Sequence, residues 1–139
     1  MEWFSFDGIP WWGVLVAFVV TFAFGWFYYS PAGVFPVWKR LGKIEASDVE
    51  NANMGVAFGG TFLANVLGII VLAMLMVGLG VDGWAAGLTF GAVIGLVFRG
   101  GAHALHNGFA ARHPGVTLLD ALHDTVALAL SGLILALFM

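Results

Sequence analysis

The sequence predicts an all-α fold, an integral membrane four-helix bundle with both termini on the non-cytoplasmic side. Three observations carry that expectation. Hydrophobic residues make up 61% of the chain and charged residues only 9%, against roughly 25% charged in an ordinary soluble domain. Four apolar runs each reach the length, about 18 residues or more, at which a helix crosses a bilayer. None of them alternates with the two-residue period of a barrel strand. A soluble fold of 139 residues would expose about 7,000 Å². Five basic and eight acidic side chains coat such a surface too thinly for a monomer in water. The composition therefore excludes a soluble globular enzyme and a disordered segment. A net charge of -3 with five Lys and Arg residues argues against nucleic acid as a partner. The chain has no cysteine, which removes disulfides, iron–sulfur clusters, thiolate zinc sites and cysteine nucleophiles.

The first span runs from Ile9 to Tyr29, uncharged and ended by Ser30-Pro31, because proline disfavours helix at the residue before it. The second runs from Met54 to Val81 and carries one mid-span amide, Asn65. The third runs from Trp84 to about Asn107, and the fourth from near Thr117 to Met139. Glu2 and Asp7 are acidic where a signal peptide is basic, so the first span is expected to be retained. Lys39, Arg40 and Lys43 lie between spans one and two, and Arg112 between spans three and four. The N-terminal segment and the turn at 78–83 have no Lys or Arg. This asymmetry places both longer loops in the cytoplasm. Trp3, Trp11, Trp12 and Trp84 then mark the outer interface.

Segment 35–47 is the only sizeable polar connection. Val37, Trp38, Leu41 and Ile44 share a helical face beside Lys39, Arg40 and Lys43, which is the pattern of a short helix lying in the inner interface. Its cations attract anionic lipid, or serve only as topology charges on a solvated loop. Ser47 and Glu50 have the spacing of a capping box opening the second span.

The end of span one reads Tyr28-Tyr29-Ser30-Pro31, with Trp38 seven residues after the proline, and span four carries Ser131-Gly132-Leu133-Ile134-Leu135. In this layout the whole chain resembles the small bacterial membrane proteins grouped as domain of unknown function 1761. Where that family would place Gly-Lys before the tryptophan, Phe35-Pro36-Val37 stands here. The resemblance implies a multi-pass protein of the bacterial inner (cell) membrane and supplies no site residue.

The purely apolar parts of spans three and four are each about 15 residues, or about 22 Å of helix, against about 30 Å of hydrocarbon. Their polar ends must cover the difference. Those ends carry Arg99, His103, His106 and Asn107 on one helix, and Asp120, His123 and Asp124 on the other. Helical spacing puts Arg99, His103 and His106 within about a 60° arc. Thr117 and Ser131 extend the face of span four. With an antiparallel turn through Pro114-Gly115, Arg99 comes level with Asp124 and His103 with His123.

Ionisable groups inside a span are costly and tend to line a pathway, and histidine titrates near neutral pH. Arg99, His103, His106, Asn107, Asp120, His123, Asp124 and Asn65 are therefore the candidate ion or proton pathway. His103, His106, His123 and Asp124 could instead hold a divalent metal. No other cofactor is expected. Against both stands a structural reading, in which Thr117 and Asp120 form a capping box, Arg99 pairs with Asp124, and His106 is interfacial. His113 sits in the loop with no assigned role, and Asn65 is expected to make an interhelical hydrogen bond.

Gly87, Gly91 and Gly95 repeat every fourth residue on span three, and Gly55 and Gly59 on span two. Small residues at this spacing let helices approach closely in lipid. The expected neighbour of the span-three face is span two, or span three of a second copy in a homodimer. The leading functional expectation is a small transporter or channel with an ion- or proton-linked Arg/His/Asp cluster. The alternatives are an accessory membrane protein and a metal-dependent membrane enzyme. Enzymatic activity is the weaker expectation, since the chain has no P-loop, H-E-x-x-H or nucleophile motif.

Overall fold

The computed structural model describes residues 5–139 and is all-helical. Glu2 and Trp3 lie outside the described residues. The helices are α1 (Trp11–Tyr28), α2 (Phe35–Gly42), α3 (Ala46–Asn51), α4 (Met54–Leu79) and α5 (Trp84–Ile94). A π-helical segment (Gly95–Gly100) then leads into α6 (Gly101–Phe109), and α7 (Pro114–Phe138) ends the chain. Four stretches are long and apolar enough to cross a membrane: Trp11–Tyr28, Met54–Leu79, Trp84–Phe109 and Pro114–Phe138. In none of them is more than 33% of the most apolar stretch buried inside the chain. The remaining apolar surface, including Trp12, Trp26 and Phe98, is what a bilayer covers, and the protein is a multi-pass membrane protein.

Helix α7 is the centre of the bundle. It packs against α1, α4, α5, the π segment and α6, and also against α2. The buried core lies where α1, the second half of α4 and α7 meet. It includes Val14, Ala17, Ile69, Leu72, Met76, Leu128 and Leu135. Thr21 and Ser131 are buried with it, and each returns its hydroxyl hydrogen to a carbonyl one turn earlier, Ala17 O at 2.7 Å and Ala127 O at 2.9 Å. Ser131 is thus satisfied locally and does not extend the polar face of span four.

The glycine face of span three meets span four, rather than span two or a second copy. A Cβ on Gly87 would strike the carbonyl of Gly132, one on Gly91 the carbonyl of Leu128, and one on Gly95 would lie 2.8 Å from Thr125 Cα. The α5–α7 contact is backbone on backbone, and it buries the face that a dimer through these glycines would need. Gly55 and Gly59 have no such neighbour: an added Cβ on Gly59 meets open space, and one on Gly55 meets only Asn53 Oδ1 at 3.4 Å. The first half of α4 is exposed from Met54 to Ala64, with Phe62 set edge-on against Phe18 of α1 at 5.0 Å.

Several local signals resolve differently from the sequence expectation. The capping box is formed by Glu45 and Asp48 at the start of α3, not by Ser47 and Glu50, and α4 is capped by Asn53 Oδ1 accepting from Val56 N–H at 3.1 Å. A proline at its first turn lets α7 begin at Pro114, one turn earlier than expected. Its cap is His113, whose Nδ1 accepts from Gly115 N–H at 3.0 Å. Thr117 and Asp120 therefore lie inside the helix and form no capping box. The turn before α7 is made by Ala111, at φ 52°, and not by Pro114-Gly115.

Replacing Gly91 by alanine is expected to force α5 from α7 and to cost about 1–3 kcal/mol. Gly59→Ala, in open space, is expected to be neutral or to stabilise by up to about 1 kcal/mol through helix propensity. Unfolding of the two variants in detergent checks the contrast.

Candidate functional site

The close α5–α7 approach fixes the relative depth of the two helices and brings Asp124 opposite the polar end of span three. Gly95 and Gly100 bound the π segment, and Gly101 opens α6. Glycine is the poorest α-helix former after proline, and a π turn inserts an extra residue, rotating the rest of the helix about its axis. As a result Arg99 reaches across to α4 while His103 faces α7. Arg99 Nη1 donates to Asn65 Oδ1 at 3.3 Å, and Nη2 donates to the Ala64 carbonyl at 3.3 Å. Gly68 leaves room for the guanidinium: a Cβ there would sit 3.3 Å from Nη2. Arg99 Nη1 also lies 3.9 Å from Asp124 Oδ1. Asn65 thus makes an interhelical hydrogen bond, with Arg99 as donor.

Asp124 is the hub. His103 Nε2 lies 3.1 Å from its Oδ2, and His123 Nδ1 lies 2.9 Å from its Oδ1. A carboxylate only accepts hydrogen bonds, so the facing imidazole nitrogens carry hydrogen when Asp124 is ionised. The other nitrogen of His123, Nε2, is buried with no hydrogen-bond partner among the described residues. The His123 ring is stacked on Phe24 at 5.4 Å with an interplanar angle of 6°, and Tyr28 and Tyr29 adjoin it at 5.3 and 5.1 Å. It also lines a cavity of about 240 Å³ between α1 and α4, together with Thr21, Tyr29, Thr61 and Asn65. The two imidazoles differ in access: the His103 side chain is 33% exposed and that of His123 15%.

Asp120 forms a second node one turn away. Tyr29 Oη donates to its Oδ1 at 2.7 Å and Trp38 Nε1 at 2.9 Å. Tyr28 Oη donates to the Leu119 carbonyl at 3.0 Å. The Tyr-Tyr-Ser-Pro end of span one and Trp38 therefore converge on α7, tying α1 and α2 to it. Sequence reasoning did not assign these three partners. The available signal was a carboxylate inside a span that needs donors, with tyrosines at the matching end of a neighbouring span.

Of the other candidates, His106 is exposed, and no side-chain hydrogen bond joins it or Asn107 to the cluster among the described residues. Both lie in the regular helix α6 beyond His103, nearer the loop. No group of three or more His, Cys, Asp or Glu side chains placed to hold a metal ion is found among the described residues. What the arrangement offers chemically is one carboxylate with imidazoles on both of its oxygens and a guanidinium beside it.

Tyr29→Phe and Trp38→Phe are each expected to destabilise the protein by about 1 kcal/mol. Both losses should shrink in an Asp120→Leu background, because the shared acceptor is gone. Additive losses in a double-mutant cycle would contradict the shared site.

No curated protein matches the chain, and no solved structure does. A family model described as protein of unknown function (DUF1761) matches residues 12–136. That match takes in all four spans and both polar nodes, and the chain belongs to this family.

Proposed function

We propose that the protein is a small proton-linked transporter or channel whose working element is Asp124 with His103 and His123. One observation carries the reading: the carboxylate is shared by two imidazoles of unequal access, and the more buried one has its second nitrogen without a hydrogen-bond partner among the described residues, on a ring that lines an intramembrane cavity. The charge asymmetry of the loops supports a cytoplasmic position for the His103 end. His103 takes up a proton on Nδ1 and passes its Nε2 proton to Asp124 Oδ2. His123 exchanges to its Nε2–H tautomer, which frees Nδ1 to accept the carboxyl proton, and the Nε2 proton then leaves into the cavity. His123 is thereby back in its Nδ1–H form, and His103 resets by tautomer exchange from Nδ1–H to Nε2–H. Arg99 supplies the counter-charge that makes a carboxylate tolerable at this depth, and Asn65 holds the guanidinium in place.

A second reading, an accessory protein whose polar residues lock the bundle, is favoured by Asp120, whose Oδ1 accepts from both Tyr29 and Trp38. The two readings separate in liposomes loaded with a pH-sensitive dye. The proton-linked reading expects flux above that of empty vesicles. Flux should fall at least about tenfold in Asp124→Asn, the loss of a step worth roughly 1.4 kcal/mol or more, while the variant still folds. His123→Gln should lower it as well. Wild-type flux equal to that of empty vesicles, or unchanged flux in folded Asp124→Asn, overturns it in favour of the locking role.

A further inference from the structure

A second and larger cavity, of about 810 Å³, lies at the loop end of the bundle. It is bounded by α2, α3, the start of α4 and the turn between α6 and α7. This volume falls in the range of about 300–1,000 Å³ typical of small-molecule sites. Its walls are divided by chemistry. Trp38, Leu41, Ile44 and Met54 make an apolar side, and Lys43, Arg112 and His113 supply cationic and polar groups.

Among the described residues no ion pair joins Lys43 or Arg112 to a carboxylate. The carboxylate in the wall, Asp48, already accepts from Glu45 N–H at 2.9 Å, and Glu45 completes the same capping box. His113 Nδ1 is occupied by Gly115 N–H, so in the neutral ring Nε2 carries the hydrogen and is a donor.

The backbone provides an independent sign. The described residues include two non-glycine residues with left-handed φ, Lys43 at 51° and Ala111 at 52°, and both line this cavity. Each closes a helix where glycine is usual. Lys43 N–H reaches the Arg40 carbonyl and Ile44 N–H that of Lys39, while Arg112 N–H reaches that of Asn107. Left-handed backbone is unfavourable for a residue with a Cβ, and such positions concentrate at ligand clamps. Here they set the chain direction at Lys43 and just before Arg112.

We infer that this cavity binds an amphipathic anion, an acyl chain headed by a phosphate, with the tail against Trp38, Leu41, Ile44 and Met54 and the head on Lys43, Arg112 and His113. The same chemistry is available from an anionic phospholipid of the adjoining leaflet and from a free alkyl phosphate. Trp38 lines the cavity and also donates to Asp120, so an occupant touches the residue that anchors α2 to α7. The inference is independent of proton movement through Asp124.

Native mass spectrometry of the purified chain in neutral detergent tests it. Dodecyl phosphate, phosphatidylglycerol, phosphatidylcholine and inorganic phosphate are added in turn. The expected result is retention of dodecyl phosphate or phosphatidylglycerol in preference to phosphatidylcholine and inorganic phosphate. Retention of phosphatidylglycerol alone assigns the ligand to the leaflet, and retention of dodecyl phosphate alone assigns it to a free amphiphile. Lys43→Gln and Arg112→Gln are each expected to weaken binding about tenfold, the scale of one charge-assisted hydrogen bond. Arg40→Gln, at an exposed residue outside the cavity wall, is expected to leave it unchanged. Equal retention of phosphatidylcholine or of inorganic phosphate, unchanged binding in the Lys43/Arg112 double variant, or an equal loss in Arg40→Gln would overturn the inference.

Discussion

Two helices that meet backbone to backbone set the geometry of this protein. Gly87 and Gly91 lie against the carbonyls of Gly132 and Leu128, and Gly95 against Thr125. In lipid no hydrophobic force separates a helix–helix contact from a helix–lipid contact, so close packing between small residues takes a large share of the association. The contact also fixes register. It sets the depth of α7 against α5, and with it the height at which Asp124 meets the polar end of span three. A shift of one helical turn would move Asp124 by about 5.4 Å and part it from both Arg99 and His103.

Once Asp124 is placed, the positions of the other polar residues reflect the need to compensate it. Arg99 lies between α4 and α7, and His103 and His123 occupy the two oxygens of the carboxylate. Asp120, one turn away, takes its donors from Tyr29 and Trp38. The two acidic residues of span four thus divide their work. Asp120 ties α1 and α2 to α7, while Asp124 ties the α4 and α6 sides to it. Directly, or for α4 through Arg99, the carboxylates reach every other element that packs on α7 except α5, which the glycines hold.

The spans were legible because length and apolar character leave a chain in a bilayer few alternatives to helix. The pairing of Arg99 with Asp124 was legible as well, because two antiparallel helices joined by a short turn must match residues at equal distance from it. The π segment was not: three glycines weaken the α-helix there, but regular periodicity assumes 3.6 residues per turn throughout. A shared face is also not a contact: His106 lies about one turn beyond His103 in α6, nearer the loop, and is exposed. The neighbour of the glycine face was equally hidden, since small-residue spacing says that something approaches closely and not what approaches. The donors to Asp120 come from residues 82 and 91 positions away, and local pattern does not register such contacts. Ser47–Glu50 and Thr117–Asp120 have capping-box spacing but lie within helices, because Glu45 and Asn53, and then His113, supply the caps.

One carboxylate shared by two imidazoles of unequal access is open to nitrogen-15 NMR of the His103 and His123 rings, in the wild type and in Asp124→Asn. In the wild type the Nε2 resonance of His103 and the Nδ1 resonance of His123 are expected to report hydrogen bonding to a carboxylate. In folded Asp124→Asn both signatures should disappear. Ring resonances that are the same in the two proteins would contradict the shared carboxylate.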